Sequence, residues 1–537
     1  MIRGRSAWTA AAVCVASVLA VPSLGVLASL ARPAYRVWAH LWQTQLLEVL
    51  GNTLALVAGV GAGTLVVGAG LAWLVVTYRF PGCAVFEWAL IVPLAVPAYV
   101  IGFAFLGLFE FAGPLQGALR RGFGDGVRLP ELRSYWGVVT MMTLVFYPYV
   151  YLLARTAFRE QGAATHETAR SLGRSRAHAF LQVTLPMARP SLVAGVSLAM
   201  MEALADFGTV ATFGYRTLTE SIYRVWYGMF DRAAAAQLAS LLLLFALGLL
   251  GLERGLRGRA RFVQSQRRGP APEPQALAGW RRWGATAACA AILGLAFALP
   301  VGQLLVWARD AAGGLRAPVF LALLRNTLTL AALAAFVASA LAIVLAYAAR
   351  LHPSAVVRLS ARSASMGYAL PGAVIAVGVL VPLAWLDHLL AGAGERLLGR
   401  PGGLLLTGSA AGLLFAYVAR FLSVSFQTIE ASLAKIPPSM DDAARSLGAS
   451  AGGTLRRIHL PLMRGGLLTA CILVFVETMK EMPATLLLRP LGLNTLAIEV
   501  WERTSESMWP DAAAPALAIV AAGLLPVFLA IRLSARR

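Results

Sequence analysis

Ala169-Arg170-Ser171-Leu172-Gly173 leads to Val183-Thr184-Leu185-Pro186. The same pattern returns 275 positions later, where Ala444-Arg445-Ser446-Leu447-Gly448 leads to Ile458-His459-Leu460-Pro461. The correspondence continues into the next apolar segments, where Glu202 and Asp206 align with Glu477 and Glu481. It also starts much earlier. Asn52-Thr53-Leu54 matches Asn326-Thr327-Leu328, and Pro97-Ala98-Tyr99-Val100-Ile101 matches Pro371-Gly372-Ala373-Val374-Ile375. Self-similarity on this scale commits a chain to two equivalent architectural units. The expected halves are 1–253 and 283–537. Between them, 254–282 has no apolar period and carries eight arginines and the string Pro270-Ala271-Pro272-Glu273-Pro274, as a basic cytoplasmic linker would.

Each half is oily. Hydrophobic residues make up 59% of the 537 and charged residues 13%, against about 25% charged in soluble domains. Runs of about 20 apolar residues, the length a helix needs to span the hydrocarbon core, recur near 8–30, 52–77, 84–111, 135–157, 191–213, 236–253, 283–307, 327–349, 364–390, 404–424, 465–487 and 513–533. They lack the alternating period of a barrel, so helices must satisfy the backbone. The fold class expected is an all-α polytopic membrane protein of about twelve transmembrane helices, arranged as two six-helix halves. The run after Met1-Ile2-Arg3-Gly4-Arg5 reads as a retained first helix rather than a cleaved signal. Six spans per half bring both halves into the membrane with the same orientation, related by a pseudo-two-fold axis along its normal.

The formal charge of +21 does not point to nucleic acid, because the arginines concentrate in segments that lie inside when the N-terminus is inside. Loop 112–134 is the exception, with Arg120, Arg121, Arg128 and Arg133 outside. Cys14, Cys83, Cys289 and Cys471 form no CxxC pair, and the six histidines form no ligand cluster, so neither a metal nor another cofactor is expected. Nor is an enzyme, since no nucleophile–base constellation appears. Lys435 and Lys480 are the only lysines, followed by Ile436 and Glu481, which rules out a phosphate-cradling GxxxxGK[ST] loop on this chain.

Loops 158–190 and 427–464 lie inside in this topology. Each pairs a short helical stretch, a glycine that lets the chain turn and a second stretch ending at Leu-Pro, which predicts a compact protrusion. The residues carrying it are Glu167, Ala169, Gly173, Leu185 and Pro186, then Asp442, Ala443, Ala444, Gly448, Leu460 and Pro461. This pattern resembles the EAA loop of binding-protein-dependent ABC importer permeases. The resemblance implies that each loop forms a coupling helix docked on one of two separate ATPase subunits. It also implies a periplasmic or lipid-anchored substrate-binding protein as partner, and a place in the bacterial cytoplasmic (inner) membrane. Thr168 and Asp442 depart from the pattern, and the first loop is shorter.

Glu202-Ala203-Leu204-Ala205-Asp206-Phe207-Gly208-Thr209 and Lys480-Glu481-Met482-Pro483-Ala484-Thr485 resemble fused ferric-iron importer permeases. Fused thiamine, phosphonate and polyamine permeases share that architecture. An ion-coupled secondary transporter, the alternative of another class, leaves the matched loops unexplained. Independently, Glu202 and Asp206 stand at i, i+4, as do Glu477 and Glu481, with Lys480 three residues after Glu477. Ionisable groups at membrane depth either face a pathway or pair with one another. These five are the expected substrate-pathway residues; an ion pair with helix capping is the structural alternative. Tyr147, Tyr149 and Tyr151 read as an interfacial aromatic belt.

Overall fold

The computed structural model describes residues 2–31, 35–160, 180–257, 274–311, 316–364, 366–398 and 405–535. Among them ten helices are long and apolar enough to cross a membrane. An eleventh span is added if Ala451–Leu462 and Arg464–Lys480, bent by 78°, count as one. The run at 191–213 folds as helix Leu185–Ala205, then breaks before a short helix, Gly208–Thr212. The prolines at 97 and 371 do not kink spans. Pro97 immediately precedes helix Ala98–Phe109, and Pro371 immediately precedes Gly372–Leu398, where a missing N–H costs nothing.

The chain packs as two compact units whose segments interleave in sequence. One consists of Met1–Leu41, Ser221–Leu243 and Leu315–Glu502; the other of Trp42–Glu220, Leu244–Gly314 and Arg503–Arg537. Each unit takes the middle of one repeat half and end segments of the other.

In the first unit, helices Ala317–Leu351, Ala410–Leu433 and Arg464–Lys480 pack on one another, and helix Ile2–Ala28 lies against Gly372–Leu398. That last contact is close: a Cβ on Gly378 would stand 2.7 Å from the Pro22 carbonyl carbon. Lipid tails are as apolar as leucine, so helix association in a bilayer relies on such small-residue approach.

In the second unit, helix Tyr135–Glu160 runs between Leu46–Thr77 and Leu185–Ala205. Small residues admit both neighbours, since a Cβ at Gly68 would meet the Tyr147 carbonyl oxygen at 2.7 Å and one at Gly195 the Val150 Cα at 2.8 Å. Tyr147 and Tyr151 are therefore fully buried rather than in a belt, and the Tyr151 hydroxyl donates to the Glu87 carbonyl at 2.9 Å. Phe103 lies 6.3 Å from the Trp307 ring and 6.2 Å from that of Trp509. Of the expected loop 112–134, the part up to Phe123 is helix Pro114–Phe123 and belongs to the candidate span Ala98–Phe123, and the cations of the stretch are held locally. Arg133 pairs with Glu110 at 2.8 Å, and the Arg120 guanidinium lies 4.0 Å from the Phe111 ring centre. At the linker's end, Gln275–Ala276 pairs in parallel with Tyr78–Arg79.

Candidate functional site

The aligned carboxylates mark a break that both halves share. Helix Leu185–Ala205 ends at Asp206, whose backbone is extended (φ −71, ψ 127). Helix Arg464–Lys480 ends at Glu481 with nearly the same geometry (φ −70, ψ 112). A short helix follows each: Gly208–Thr212 and Pro483–Leu488. The first amides of a helix lack intrahelical acceptors, and a carboxylate just ahead of them supplies one. Asp206 Oδ1 accepts from the amides of Thr209 at 2.8 Å and Val210 at 3.3 Å, and Oδ2 from the Thr209 hydroxyl at 3.1 Å. Glu481 Oε1 accepts from the Ala484 amide at 2.8 Å. The second acid of each pair thus stands at the junction, ending one helix and capping the next.

Glu481 is buried, and its other oxygen accepts from Arg420 Nη1 at 2.6 Å. Gly372 makes room for this pair, since a Cβ there would stand 2.6 Å from Glu481 Oε1. Two further hydrogen bonds flank the pair: Tyr223 donates to the Pro483 carbonyl at 2.6 Å, and the Tyr417 and Thr485 hydroxyls lie 2.6 Å apart. Lys480 Nζ lies 3.2 Å from Glu477 Oε1. Glu202 is half-buried near the end of Leu185–Ala205. Among the described residues, no group of three or more His, Cys, Asp and Glu side chains converges as a metal site requires.

The second-half loop is fully described. Helix Pro438–Ser446 is followed by Gly448 at φ +77, and Ser450 caps the turn that begins at Ala451. Ala444 faces inward, while Asp442, Ala443 and Leu447 are exposed. Leu447 reaches 87% exposure, and Asp442 pairs with Arg445 one turn on. Leu460 is half-buried and Pro461 exposed. In the first half, Glu167, Ala169 and Gly173 lie outside the described residues. Leu185 and Pro186 open helix Leu185–Ala205.

Sequence reasoning missed Arg420, although an arginine inside the apolar run 404–424 is itself a signal. It also missed Arg350, Asp441 and His459, which have no partner nearby in sequence.

Comparison with known proteins fits this geometry. Residues 64–259 and 338–537 each match the family described as binding-protein-dependent transport system inner membrane component. The chain is 27% identical over 496 residues to an Fe(3+)-transport system permease protein of Haemophilus influenzae, covering 91% of this chain and 90% of the relative. It is 30% identical over 227 residues to a sulfate transport system permease protein of Escherichia coli, covering 40% of this chain and 78% of that one. A molybdenum transport system permease protein of Escherichia coli is 27% identical over 217 residues, covering 39% and 90%.

Proposed function

The chain belongs to the binding-protein-dependent transport system inner membrane components, and from that membership we propose that it is the permease of an ABC importer for ferric iron. ATP is hydrolysed by two separate subunits, and the ion is delivered by a periplasmic or lipid-anchored binding protein at a bacterial inner membrane. One observation carries the iron reading: the Fe(3+) relative aligns with both halves nearly end to end, whereas the sulfate and molybdenum relatives align with about 40% of the chain.

The two cytoplasmic loops are the proposed docking points for the ATPases. Supporting this is the exposed end of helix Pro438–Ser446, where Asp442, Ala443 and Leu447 stand free of the membrane helices. The first-half residues Glu167, Ala169, Gly173, Leu185 and Pro186 are assigned the same role through the repeat. Glu202, Asp206, Glu477, Lys480 and Glu481 are proposed to border the route of the ion. Glu202 and Glu477 carry that reading best, because Asp206 and Glu481 spend oxygens on helix amides. Carboxylate oxygens suit a hard cation.

Proteoliposomes containing the chain, its ATPase and its binding protein test the proposal. Uptake of ferric citrate should require ATP and the added ATPase, and should survive collapse of the proton gradient. Uptake driven by the gradient alone would make the chain a secondary transporter. Uptake of sulfate, molybdate or thiamine in place of iron would keep the permease and overturn its substrate.

A further inference from the structure

The second-half loop joins the membrane helices through joints that are not helical. Pro437, just before helix Pro438–Ser446, is extended (φ −60, ψ 142), and the chain bends by 78° between Ala451–Leu462 and Arg464–Lys480. A loop held only by such joints would swivel. Arg350 and Tyr347, on helix Ala317–Leu351, tie it down.

Arg350, one residue from the end of helix Ala317–Leu351, donates from Nε to Asp441 Oδ2 at 2.8 Å, and its Nη2 lies 2.8 Å from the same oxygen. The rest of its fork reaches main-chain carbonyls, Nη1 to Leu433 at 2.7 Å and Nη2 to Ile436 at 2.9 Å. These close the end of helix Ala410–Leu433 and the turn after it. Asp441 Oδ1 lies 2.8 Å from Nε2 of His459, which is fully buried. Tyr347, one turn before Arg350, donates to the Ala451 carbonyl at 2.7 Å and sets its ring 5.5 Å from that of His459. A planar guanidinium can hold a carboxylate and two carbonyls at once, which an ammonium cannot do with the same geometry.

The duplication supplies a built-in comparison. By the 274- and 275-residue offsets, the first-half equivalents of Arg350, Asp441 and His459 are Val76, His166 and Thr184. That half has no guanidinium and no carboxylate at these positions.

Resting on the permease reading above, we propose that Arg350, Asp441 and His459 form a latch that makes the second-half loop move as one body with helices Ala317–Leu351 and Ala410–Leu433. A displacement imposed on the loop by an ATPase then reaches the membrane helices and is not absorbed at the joints. The three are positioning residues, and the first half lacks their side chains at the corresponding sequence positions.

Two measurements test the latch. In the reconstituted complex, Arg350→Gln should leave ATPase co-purification and ATP hydrolysis within about twofold of wild type, while ferric citrate uptake per ATP falls about tenfold. Arg350→Lys should recover only part of this, and Arg350→Gln with Asp441→Asn should lose no more than the single variant, because both break the same Arg350–Asp441 pair. Unchanged uptake per ATP, or a double variant losing the product of the singles, overturns the latch. Hydrogen exchange on the full chain alone reads the latch without substrate. Arg350→Gln should speed exchange in 434–463 about tenfold while the membrane helices stay protected. Unchanged exchange overturns the latch whatever the wild type transports. Faster exchange in the variant, with no iron uptake by wild-type vesicles, overturns the ferric-iron reading alone.

Discussion

Gly448 turns the chain at φ +77, and a Cβ placed there would meet nothing within 4 Å. Its constraint is therefore purely conformational, and a β-branched side chain strains the backbone by about 1–2 kcal/mol. Gly448→Val should lower ATPase co-purification and uptake with helical content unchanged by circular dichroism. Gly448→Asn should recover most of the loss, because asparagine tolerates this region. Normal association in the valine variant would remove the turn from the coupling role. The carboxylates separate in a different way. Glu481→Gln keeps the size but leaves Arg420 buried without its counter-charge, a loss of roughly 3–5 kcal/mol. Asp206→Asn keeps an oxygen for the cap and should cost about 1 kcal/mol or less. Thermal melting should therefore fall more for Glu481→Gln; the reverse order would mean that the Arg420 pair is not what holds the break. The spacing in the sequence located Gly448 and Glu481. It could not assign Glu481 its partner, because Arg420 lies 61 residues away.

Longer segments repeat the same physics. In both halves a threonine inside the second apolar run donates to its own helix and accepts from a distant amide. Thr53 donates to the Val49 carbonyl at 2.7 Å and accepts from the Leu218 amide at 3.0 Å. Thr327 donates to Leu323 at 2.8 Å and accepts from Leu496 at 2.9 Å. The matched Asn-Thr-Leu triplets are thus the anchor of the segment that returns after each helix break. Thr53→Val and Thr327→Val keep the shape and leave a buried amide unpaired, so each should cost about 1–3 kcal/mol. Equal losses in denaturation midpoint are expected, and no loss in either would show the amide satisfied in some other way. Apolar run length made the membrane helices legible. It did not reveal the break at Asp206, because hydropathy averages over a window, whereas a break is set by one residue's backbone and the cap beside it.

The chain as a whole depends on segments far apart in sequence. Each compact unit takes its middle from one half of the repeat and end segments from the other. Neither half should therefore be stable alone. Expressed separately, 1–253 and 283–537 should each be sensitive to protease in detergent, and co-expression should restore resistance. A resistant single half would contradict the interleaving. The duplication, the oily helices and the helix–glycine turn of the second-half loop were all readable from residue order, because they follow from spacing, hydropathy and the need to satisfy backbone groups in lipid. The partner of each helix was not readable. A membrane helix is apolar on every side, so composition does not say which face meets protein. That choice rests on close contacts such as Gly378 against Pro22, and on pairs such as Arg350 with Asp441, which exist only once the chain has folded.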